Sequence, residues 1–463
     1  MELVAVTLLL LYLGHAFLLW LGTFRLRYAT TERLPSVSIL VALRNEEAHL
    51  DRCVASLLAL DYPEELVEIW LINDRSTDRT PERVEAWRQR CHRIRTLHIR
   101  HGIPGLSGKA NALAQALDRC TGEIVLVTDG DCVVPSTWAR AHVRYYTADV
   151  GMVAGFTLLD RPGERTSLFG KIQSLDWAYL LAVGAGALGL GLPLSVLGSN
   201  FSFRRAAYHQ VGGYRRMGFT IIEDFSLMKH LVKQTDWRVC YPVDPTMLVY
   251  SRPMPRLRDF YAQRKRWSAG GKEVPLYGKL LMAVAFFAHA LLPLAWVTSA
   301  AWWPAAGVGL LVVADFALLW RVTGLVQRRD LLRAFPLWEP FYVGYTCVFA
   351  PVLLFPTRVN WKGTVYTWRF GSRLKSVTQL ESSKGQISNP KNQIPNPKDQ
   401  IQKAENQVSS PKSRIPRAKN QIPGPKPQES NSEVRLSKLE RPGPEGREQT
   451  AGHRSRSPYS PAR

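Results

Sequence analysis

The sequence predicts an α/β fold: a mostly parallel β-sheet with helices on both faces, joined to transmembrane helices and followed by a disordered tail. Three observations support this. Strand and helix patterns alternate across residues 35–272, apolar runs flank that region, and residues 375–463 are rich in Pro, Lys and Gln. Alternation of strands and helices favours a parallel sheet that is covered by helices.

The predicted elements of residues 35–272 are short apolar strands separated by longer helical patterns. The strands are SVSILVALRN, VEIWLIND, IRTLHIR and GEIVLVTDGD. The helices are EAHLDRCVASLLAL, TPERVEAWRQRC and GKANALAQALDRC. In the second helix, Thr80 is the predicted N-cap and Pro81 occupies the first helical position. We therefore expect one domain between the membrane segments.

Four apolar runs are predicted membrane spans, since a span needs about 20 apolar residues. They are residues 1–24, 279–303, 305–326 and 340–356. Arg25, Arg27 and Arg33 follow the first run, which predicts a retained signal anchor. The domain 35–272 would then be cytoplasmic, in a multi-pass protein of the cell membrane. The last run is short and contains Pro351. Three spans after the domain would also leave Trp361 and the basic tail outside, against the positive-inside rule, so a re-entrant or interfacial segment is the alternative.

A fifth apolar run, residues 178–200, contains many Gly residues and Pro193. Glycine is a poor helix former, and one more crossing would place residues 201–278 on the wrong side of the membrane. We therefore expect a buried or membrane-interface segment here rather than a transmembrane helix.

The formal net charge of +22 does not by itself indicate a nucleic-acid partner. Much of the excess lies in the tail and beside the apolar runs, where it suits membrane orientation and contact with anionic membrane lipids. No zinc-finger spacing or aromatic RNA-binding signature accompanies it, so we expect no nucleic-acid partner. The tail, residues 375–463, has too little apolar surface to fold. Five of the six scattered cysteines lie in the predicted cytoplasmic domain, where we expect them to be reduced.

Carboxylates or amides follow three of the predicted strands. These endings are Asn45-Glu46-Glu47, Asn73-Asp74 and Asp129-Gly130-Asp131. A single Asp-Gly ending also suits an ordinary turn. Three such endings at the carboxyl edge of one parallel sheet predict a polar crevice, where open α/β sheets bind nucleotides.

Six motifs follow one another in this chain: VALRNEE, LINDRSTDRT, GKANAL, TDGD, IIEDFSL and QRKRW. Together they resemble the family 2 glycosyltransferases with a GT-A fold. Within that family they resemble the membrane-bound branch, which includes cellulose, hyaluronan and poly-N-acetylglucosamine synthases and ceramide, hopanoid and carotenoid glycosyltransferases. The resemblance covers residues 37–267 and the membrane arrangement. It implies a nucleotide-sugar donor, a UDP-sugar, and a lipid or growing glycan as acceptor.

The resemblance implies that the first four motifs bind the donor. Asp131 would coordinate a divalent cation, Mg²⁺ or Mn²⁺, for which oxygen ligands are suited. Asp129 would help to hold the nucleotide or the water shell of the metal. Asp74 matches a carboxylate that contacts uridine, and Arg44 and Glu46 belong to the loop over the base.

Two basic residues are expected at the diphosphate. Lys109 stands at a predicted helix N-terminus, which favours phosphate, although an exposed lysine in a first turn is the alternative. Arg266 belongs to the motif Q-x-x-R-W, which Gln263, Arg266 and Trp267 match by resemblance. Charge beside a membrane span would explain the arginine but not the glutamine and the tryptophan.

Inverting transfer needs a base that takes the proton of the acceptor hydroxyl. By resemblance Asp224 is this base, and Glu223 supports the acceptor site. The alternative is that both acids only stabilise the positive end of a helix. Gln263 and Trp267 would line the acceptor site, and Asn200 in LGSNFSFRR matches a family segment near it.

The leading hypothesis is an inverting, metal-dependent glycosyltransferase that acts on a lipid at the cytoplasmic face of the membrane. The ending VNWKGTVYTW favours a lipid acceptor by resemblance to a W-x-G-x-x-Y element, although Thr364 stands where a basic residue is usual. A processive polysaccharide synthase is the first alternative. A non-catalytic membrane scaffold is the second.

Overall fold

The computed structural model describes residues 2–298, 301–354, 358–361, 364–368 and 374–379. The strands are β1 (Val37–Leu43), β2 (Val67–Asn73), β3 (Ile94–His98), β4 (Ile124–Asp129), β5 (Val150–Ala154), β6 (Thr157–Leu158), β7 (Phe201–Arg204), β8 (Arg238–Cys240), β9 (Val249–Tyr250), β10 (Arg358–Trp361), β11 (Thr364–Trp368) and β12 (Leu374–Gln379). The helices are α1 (Glu2–Gly22), α2 (Leu50–Leu58), α3 (Thr80–Arg90), α4 (Gly108–Leu117), α5 (Trp138–Val143), α6 (Leu168–Gly189), α7 (Arg205–Gln210), α8 (Gly213–Met217), α9 (Glu223–Gln234), α10 (Leu257–Gly270), α11 (Leu276–Thr298), α12 (Trp303–Leu325) and α13 (Phe335–Leu354).

The alternating elements β1 to β4, with α2, α3 and α4 between them, lie where the sequence predicts them. One detail differs. Thr80 is the first residue of α3 rather than its N-cap, which is Arg79. The Thr80 hydroxyl instead accepts a hydrogen bond of 2.8 Å from the backbone N–H of Glu46. It therefore links the loops that follow β1 and β2.

The central sheet has seven strands in the order β3-β2-β1-β4-β7-β5-β8. Strand β7 is antiparallel to both of its neighbours, and the other pairs are parallel. The predicted mostly parallel sheet is thus confirmed. In register, Leu43 faces Asn73 and Ala42 faces Asp129. The polar endings of β1, β2 and β4 therefore meet at one edge of the sheet.

Alternate residues of the central strands pack into two separate hydrophobic clusters, one for each face. Ile72 and Val127 pack with residues of α4, α6 and α9. Leu71 and Leu126 pack with residues of α2 and α5 on the other face. Burial on both faces explains why these strands are continuous apolar runs.

Three helices are long and apolar enough to cross a membrane: Glu2–Arg25, Leu276–Thr298 and Trp303–Leu325. Their inward residues form one apolar cluster that includes Leu9 of α1, Leu292 of α11 and Leu311 of α12. Their outward residues are apolar as well, since Leu3 is 80% exposed and Val297 is 82% exposed. Such an exposed apolar surface suits contact with lipid.

Part of the Gly-rich run 178–200 is helical, although its glycines predict a poor helix. Residues 178–189 form the second half of helix α6, most of which is buried. The glycines permit close contact with α1: a Cβ at Gly186 would lie 2.4 Å from the carbonyl oxygen of Leu19, and one at Gly22 would lie 2.0 Å from that of Gly186. Small residues at a helix crossing outweigh low helix propensity here.

The run 340–356 begins inside helix α13, and its last two residues lie outside the described part of the chain. Helix α13 packs on α10, with 5.3 Å between the ring centroids of Phe260 and Phe341. Strands β10, β11 and β12 form an antiparallel sheet. The predicted tail begins within β12, and residues 380–463 lie outside the described residues.

The close α1–α6 crossing predicts a large effect of one methyl group. Gly186→Ala should force the two helices apart and lower the free energy of unfolding by about 1–3 kcal/mol. The control is Gly14→Ala in α1, where an added Cβ would meet nothing within 4 Å. Thermal unfolding in detergent measures both. Equal melting temperatures for the two variants would contradict the role of this crossing.

Candidate active site

A cavity of about 980 Å³ opens at the carboxyl edge of β1, β2 and β4. It is lined by every site residue predicted from the sequence except Asn200. The carboxylates of Asp74, Asp131 and Asp224, which are far apart in the chain, share this one cavity.

The loops after β1 and β2 hold each other through hydrogen bonds. The side chain of Asn45, whose φ is 56°, accepts a bond of 2.8 Å from the backbone N–H of Thr77. These bonds fix the loop that carries Arg44 and Glu46 at the cavity wall. Asp74 is 4% exposed and accepts a bond of 2.8 Å from Arg75 Nε.

The Asp129-Gly130-Asp131 turn ends strand β4. A Cβ at Gly130 would lie 2.4 Å from Leu43 Cδ2, so a larger residue would push the turn away from β1. Asp131 Oδ2 accepts a hydrogen bond of 3.0 Å from the hydroxyl of Ser251. Ser251 was not predicted, because it follows a strand of only two residues that has no pattern of its own.

Lys109 lies among the acidic groups of the cavity. Its Nζ donates bonds of 2.6 Å to Asp129 Oδ1 and 2.6 Å to the carbonyl oxygen of Gly198, and lies 3.5 Å from Glu223 Oε1. Burial alone would lower the pKa of Lys109, but these carboxylates outweigh it and raise the pKa above its usual value. The alternative of an exposed lysine is wrong, because the side chain is 20% exposed.

Asp224 lies in the first turn of α9 and is 8% exposed. Burial, followed by the negative charge of Glu223, raises the pKa of Asp224 to about 7 from an ordinary value of 3.8. A bond of 2.7 Å from the backbone N–H of Phe225 and the charge of Lys109 act in the opposite direction. A Cβ at Gly198 would lie 3.1 Å from Asp224 Oδ2, so that oxygen is close to the backbone. Asp224 can thus exchange a proton near neutral pH.

Helix α10 brings Gln263, Arg266 and Trp267 to the cavity. The side-chain amide oxygen of Gln263, Oε1, is buried and has no hydrogen-bond partner among the described residues. Burial lowers the pKa of Arg266. The ring of Trp267 lies 5.3 Å from that of Trp177 of α6.

Arg264 was missed by the sequence analysis because it occupies a variable position of the Q-x-x-R-W motif. Its guanidinium lies 4.3 Å from the ring centroid of Trp267 and forms a buried ion pair with Asp176 of α6. Asp176 also accepts a hydrogen bond of 2.6 Å from the hydroxyl of Tyr345 of α13. Arg264 therefore fixes Trp267 against two neighbouring helices.

Asn200 lies outside the cavity and is fully buried. Its amide nitrogen donates bonds of 2.7 Å and 2.9 Å to the carbonyl oxygens of Phe156 and Met247. Its amide oxygen accepts bonds of 2.9 Å from Trp138 and 2.9 Å from His142. With these four bonds the side chain joins strands and loops behind the site, which differs from the predicted contact with the acceptor.

The cavity continues from the acids into the helices that flank the domain, which the sequence analysis did not predict. Its apolar part is lined by residues of α1, α6 and α11, the segment after α6, and α13: Leu19, Leu181, Leu194, Leu281, Met282, Phe286 and Phe349. Sequence patterns identify apolar helices but not how they cross. One cavity thus has an acidic end at the sheet and an apolar end among the helices.

The acidic end suits a hard divalent cation. Ligand atoms of Asp129, Asp131 and Cys132 lie within 4.8 Å of one another. Burial raises the pKa of the Cys132 thiol well above its usual value, and soft sulfur is not the kind of ligand that Mg²⁺ and Mn²⁺ prefer. The remaining donors are carboxylate oxygens, the ligands that Mg²⁺ and Mn²⁺ prefer.

Residues 38–212 match the family model described as glycosyl transferase family 2. The chain carries a family 2 glycosyltransferase domain. This match and the mostly parallel sheet confirm the predicted GT-A fold. The matched part of the glycosyltransferase domain contains β1 to β7 and ends before Glu223, so α9 and α10 lie beyond it.

Two groups of relatives resemble the glycosyltransferase domain. A beta-monoglucosyldiacylglycerol synthase of Synechocystis sp. is 31% identical over 246 residues, covering 52% of this chain and 49% of the relative. A poly-beta-1,6-N-acetyl-D-glucosamine synthase of Staphylococcus epidermidis is 26% identical over 248 residues, covering 53% and 57%. The chain spans about half the length of the curated relatives it matches. A solved structure, the mannosyltransferase PcManGT of Pyrobaculum calidifontis, has a TM-score of 0.48 and 20% identity, covering 74% of this chain and 99% of that one.

Proposed function

We propose that the protein is an inverting glycosyltransferase that moves a sugar from a UDP-sugar to a lipid acceptor at the cytoplasmic face of the cell membrane. The observation that supports this proposal is the single cavity with an acidic end and an apolar end. A nucleotide-sugar suits the first, and an acyl or isoprenoid chain suits the second.

At the donor end we propose that Asp74 and the loop of Arg44 and Glu46 bind the nucleoside. Asp129 and Asp131 would hold Mg²⁺ or Mn²⁺. When bound, the cation would offset the negative charge that develops on the diphosphate leaving group. Lys109 Nζ lies 2.6 Å from Asp129 Oδ1, and the positive charge of Arg266 interacts with Asp129 and the other acids at the same end of the cavity. Both residues favour an anionic donor.

Asp224 is the proposed general base. It would take the proton of the acceptor hydroxyl while that oxygen attacks the anomeric carbon, and the diphosphate would leave from the opposite face. A base is most effective when its pKa is near the working pH, and the pKa of Asp224 is about 7. Glu223 supports this role because its charge helps to raise that pKa.

Gln263 and Trp267 are the proposed contacts of the acceptor head group. The unpartnered Gln263 oxygen can accept a hydrogen bond from a hydroxyl, and the Trp267 ring offers a flat apolar surface. Both residues lie in the cavity that contains Leu281 and Phe286 of α11. A lipid could therefore place its hydroxyl near Asp224 and its chain among the helices.

We propose a multi-pass arrangement that includes the predicted segments 1–24 and 279–356, with the domain 35–272 in the cytoplasm. The three membrane-capable helices and their exposed apolar side chains support the membrane location. Arg25 and Arg27 directly after α1 support the orientation by the positive-inside rule. The composition of residues 375–463 supports a disordered tail.

A processive polysaccharide synthase is the second candidate, because one group of relatives is named for poly-beta-1,6-N-acetyl-D-glucosamine synthesis. The relatives named for a glucosylated diacylglycerol are more similar in sequence, at 31% against 26% identity. A non-catalytic scaffold is the weakest candidate, since it gives no reason for acids from three elements to share one cavity.

The nature of the product tests the proposed function. Membranes containing the protein are incubated with radiolabelled UDP-sugars, with GDP-sugars in parallel, and then extracted with organic solvent. We expect label from a UDP-sugar in the organic phase, and none with Asp224→Asn membranes. Label in ethanol-insoluble polymer would instead support the synthase. If no donor gives any product or donor hydrolysis, the enzymatic proposal is wrong.

Removal of the Asp131 carboxylate should weaken nucleotide binding only when metal is present. Asp131→Ala should lower the affinity for UDP in Mn²⁺ at least 10-fold, about 1.4 kcal/mol, with little change in EDTA. Calorimetry measures both. Asp118→Ala is the control, since this acid is exposed, pairs with Arg215 and does not line the cavity. Equal UDP affinity in Asp131→Ala and wild type would refute the metal assignment.

Asp224→Asn should bind UDP normally but lose about 10²–10⁴-fold in turnover. In wild type, turnover should rise with pH up to about 7 and then level off, because only the ionised carboxylate accepts a proton. Since the folded pKa is raised, ionisation costs stability as the pH rises from the ordinary value towards 7. At pH 8 the melting temperature of Asp224→Asn should therefore equal or exceed that of wild type. A pH-independent turnover between pH 5 and 8 would exclude this base.

A further inference from the structure

A second group of ionisable side chains lies among the helices, outside the residues of the proposed reaction. We call it the bundle cluster. Each of five helices contributes one residue: Tyr12 of α1, Tyr179 of α6, His289 of α11, Asp315 of α12 and Glu339 of α13. All five side chains are buried: Tyr12, His289 and Asp315 are at most 2% exposed, Tyr179 is 5% exposed and Glu339 is 8% exposed. Ionisable groups inside a membrane bundle are costly and usually functional.

Hydrogen bonds determine which atoms of His289 and Asp315 face the centre of the cluster. His289 Nδ1 lies 2.8 Å from the carbonyl oxygen of Ala285. Because a carbonyl oxygen only accepts, Nδ1 carries the proton and Nε2 points inward. Asp315 Oδ1 accepts bonds from the hydroxyls of Tyr12 and, at 2.9 Å, Tyr179. Asp315 Oδ2 is left to face His289.

Three donor atoms then converge on one point. His289 Nε2 lies 3.0 Å from Asp315 Oδ2 and 3.8 Å from Glu339 Oε1. Ligand bonds of ~2.0–2.2 Å in a tetrahedral arrangement place donor atoms about 3.3 Å apart, and the two distances lie on either side of that spacing. A carboxylate or carbonyl that holds the outer atom of each ligand is a common feature of metal sites.

A proton shared between His289 and Asp315 is the alternative to a bound cation, but it accounts for fewer of these contacts. A protonated Nε2 would satisfy Asp315 at 3.0 Å, but not Glu339 at 3.8 Å. The other Glu339 oxygen, Oε2, is buried without a hydrogen-bond partner among the described residues. Within that part of the chain, no Lys or Arg pairs with Asp315 or Glu339. A divalent cation would bind all three donors and offset both carboxylates.

We propose that His289, Asp315 and Glu339 form a binding site for a transition-metal ion of the zinc type. One imidazole and two carboxylates suit such an ion, and Tyr12 and Tyr179 orient Asp315 from outside. The site ties α11, α12 and α13 together, and the tyrosines extend it to α1 and α6. The cavity gives access, because Tyr342 lines it and its ring lies 5.4 Å from that of His289.

Zinc content tests the site in the full-length protein, purified in detergent. All samples carry Asp131→Ala, so that metal at the proposed donor site does not contribute. After incubation with Zn²⁺ and desalting, mass spectrometry should find about one zinc per chain, and Zn²⁺ should raise the melting temperature. Glu339→Gln and His289→Gln should abolish both effects. Tyr179→Phe should weaken zinc affinity about 10–100-fold.

His15→Gln is the matched control. His15 also lies in the bundle and its Nδ1 bonds the carbonyl oxygen four residues earlier, Leu11, at 3.1 Å, but it lies outside the three-donor group. It should keep the zinc. If a cluster variant does not fold, the Asp131→Ala protein is loaded with Co²⁺ instead and its visible absorption is recorded. Co²⁺ in a tetrahedral site gives visible absorption bands. Absence of bound zinc and of these bands, or zinc that persists in Glu339→Gln and His289→Gln, would overturn the proposal. These readouts do not depend on transferase activity.

Discussion

The candidate active site depends on the contacts that the ammonium group of Lys109 makes with the acidic side chains around it. This group joins Asp129 at the end of β4, Glu223 at the start of α9 and the carbonyl oxygen of Gly198. Without this cation the acids would repel one another strongly, because charges interact more strongly in a cavity than in water. One lysine does not balance all of them, and burial, followed by the negative charge of Glu223, raises the pKa of Asp224. The proposed binding of an anionic diphosphate here would require more positive charge, which Arg266 and a divalent cation would provide.

The two ends of the cavity come from different kinds of structure. The parallel strands place Asp74, Asp129 and Asp131, since the carboxyl ends of β1, β2 and β4 lie at one edge of the sheet. The helices shape the apolar end through close crossings at Gly22 and Gly186. Arg264 and Asp176 connect the two, because their buried ion pair joins α10 to α6. The position of Trp267 in the site therefore depends on the packing of the flanking helices.

The sequence predicted the sheet and its acidic edge because both follow from local patterns. Continuous apolar runs identify strands that are buried on both faces, and parallel strands bring Asp74 and Asp131 together without further information. It failed where tertiary contacts outweigh local preference. The glycines of α6 are poor helix formers but allow α1 to approach, and Asn200 carries a family pattern but is used up by four structural hydrogen bonds. Ser251 and Arg264 contribute through contacts that no local pattern indicates.

Some residues at the bundle cluster also line the cavity, so the helices and the candidate active site are structurally connected. Tyr179 belongs to the cluster and Tyr342 contacts it through His289, and both tyrosines also line the cavity. The cluster contains residues of α6 and α13, and these helices also carry Asp176 and Tyr345, which contact Arg264 and each other. Since Arg264 lies against Trp267, the position of this ring in the cavity is linked to the packing of the helices. In the proposed reaction, a rigid bundle would keep the acceptor hydroxyl within reach of Asp224, whereas a loosened one would leave the acids in place and lose the alignment of the acceptor.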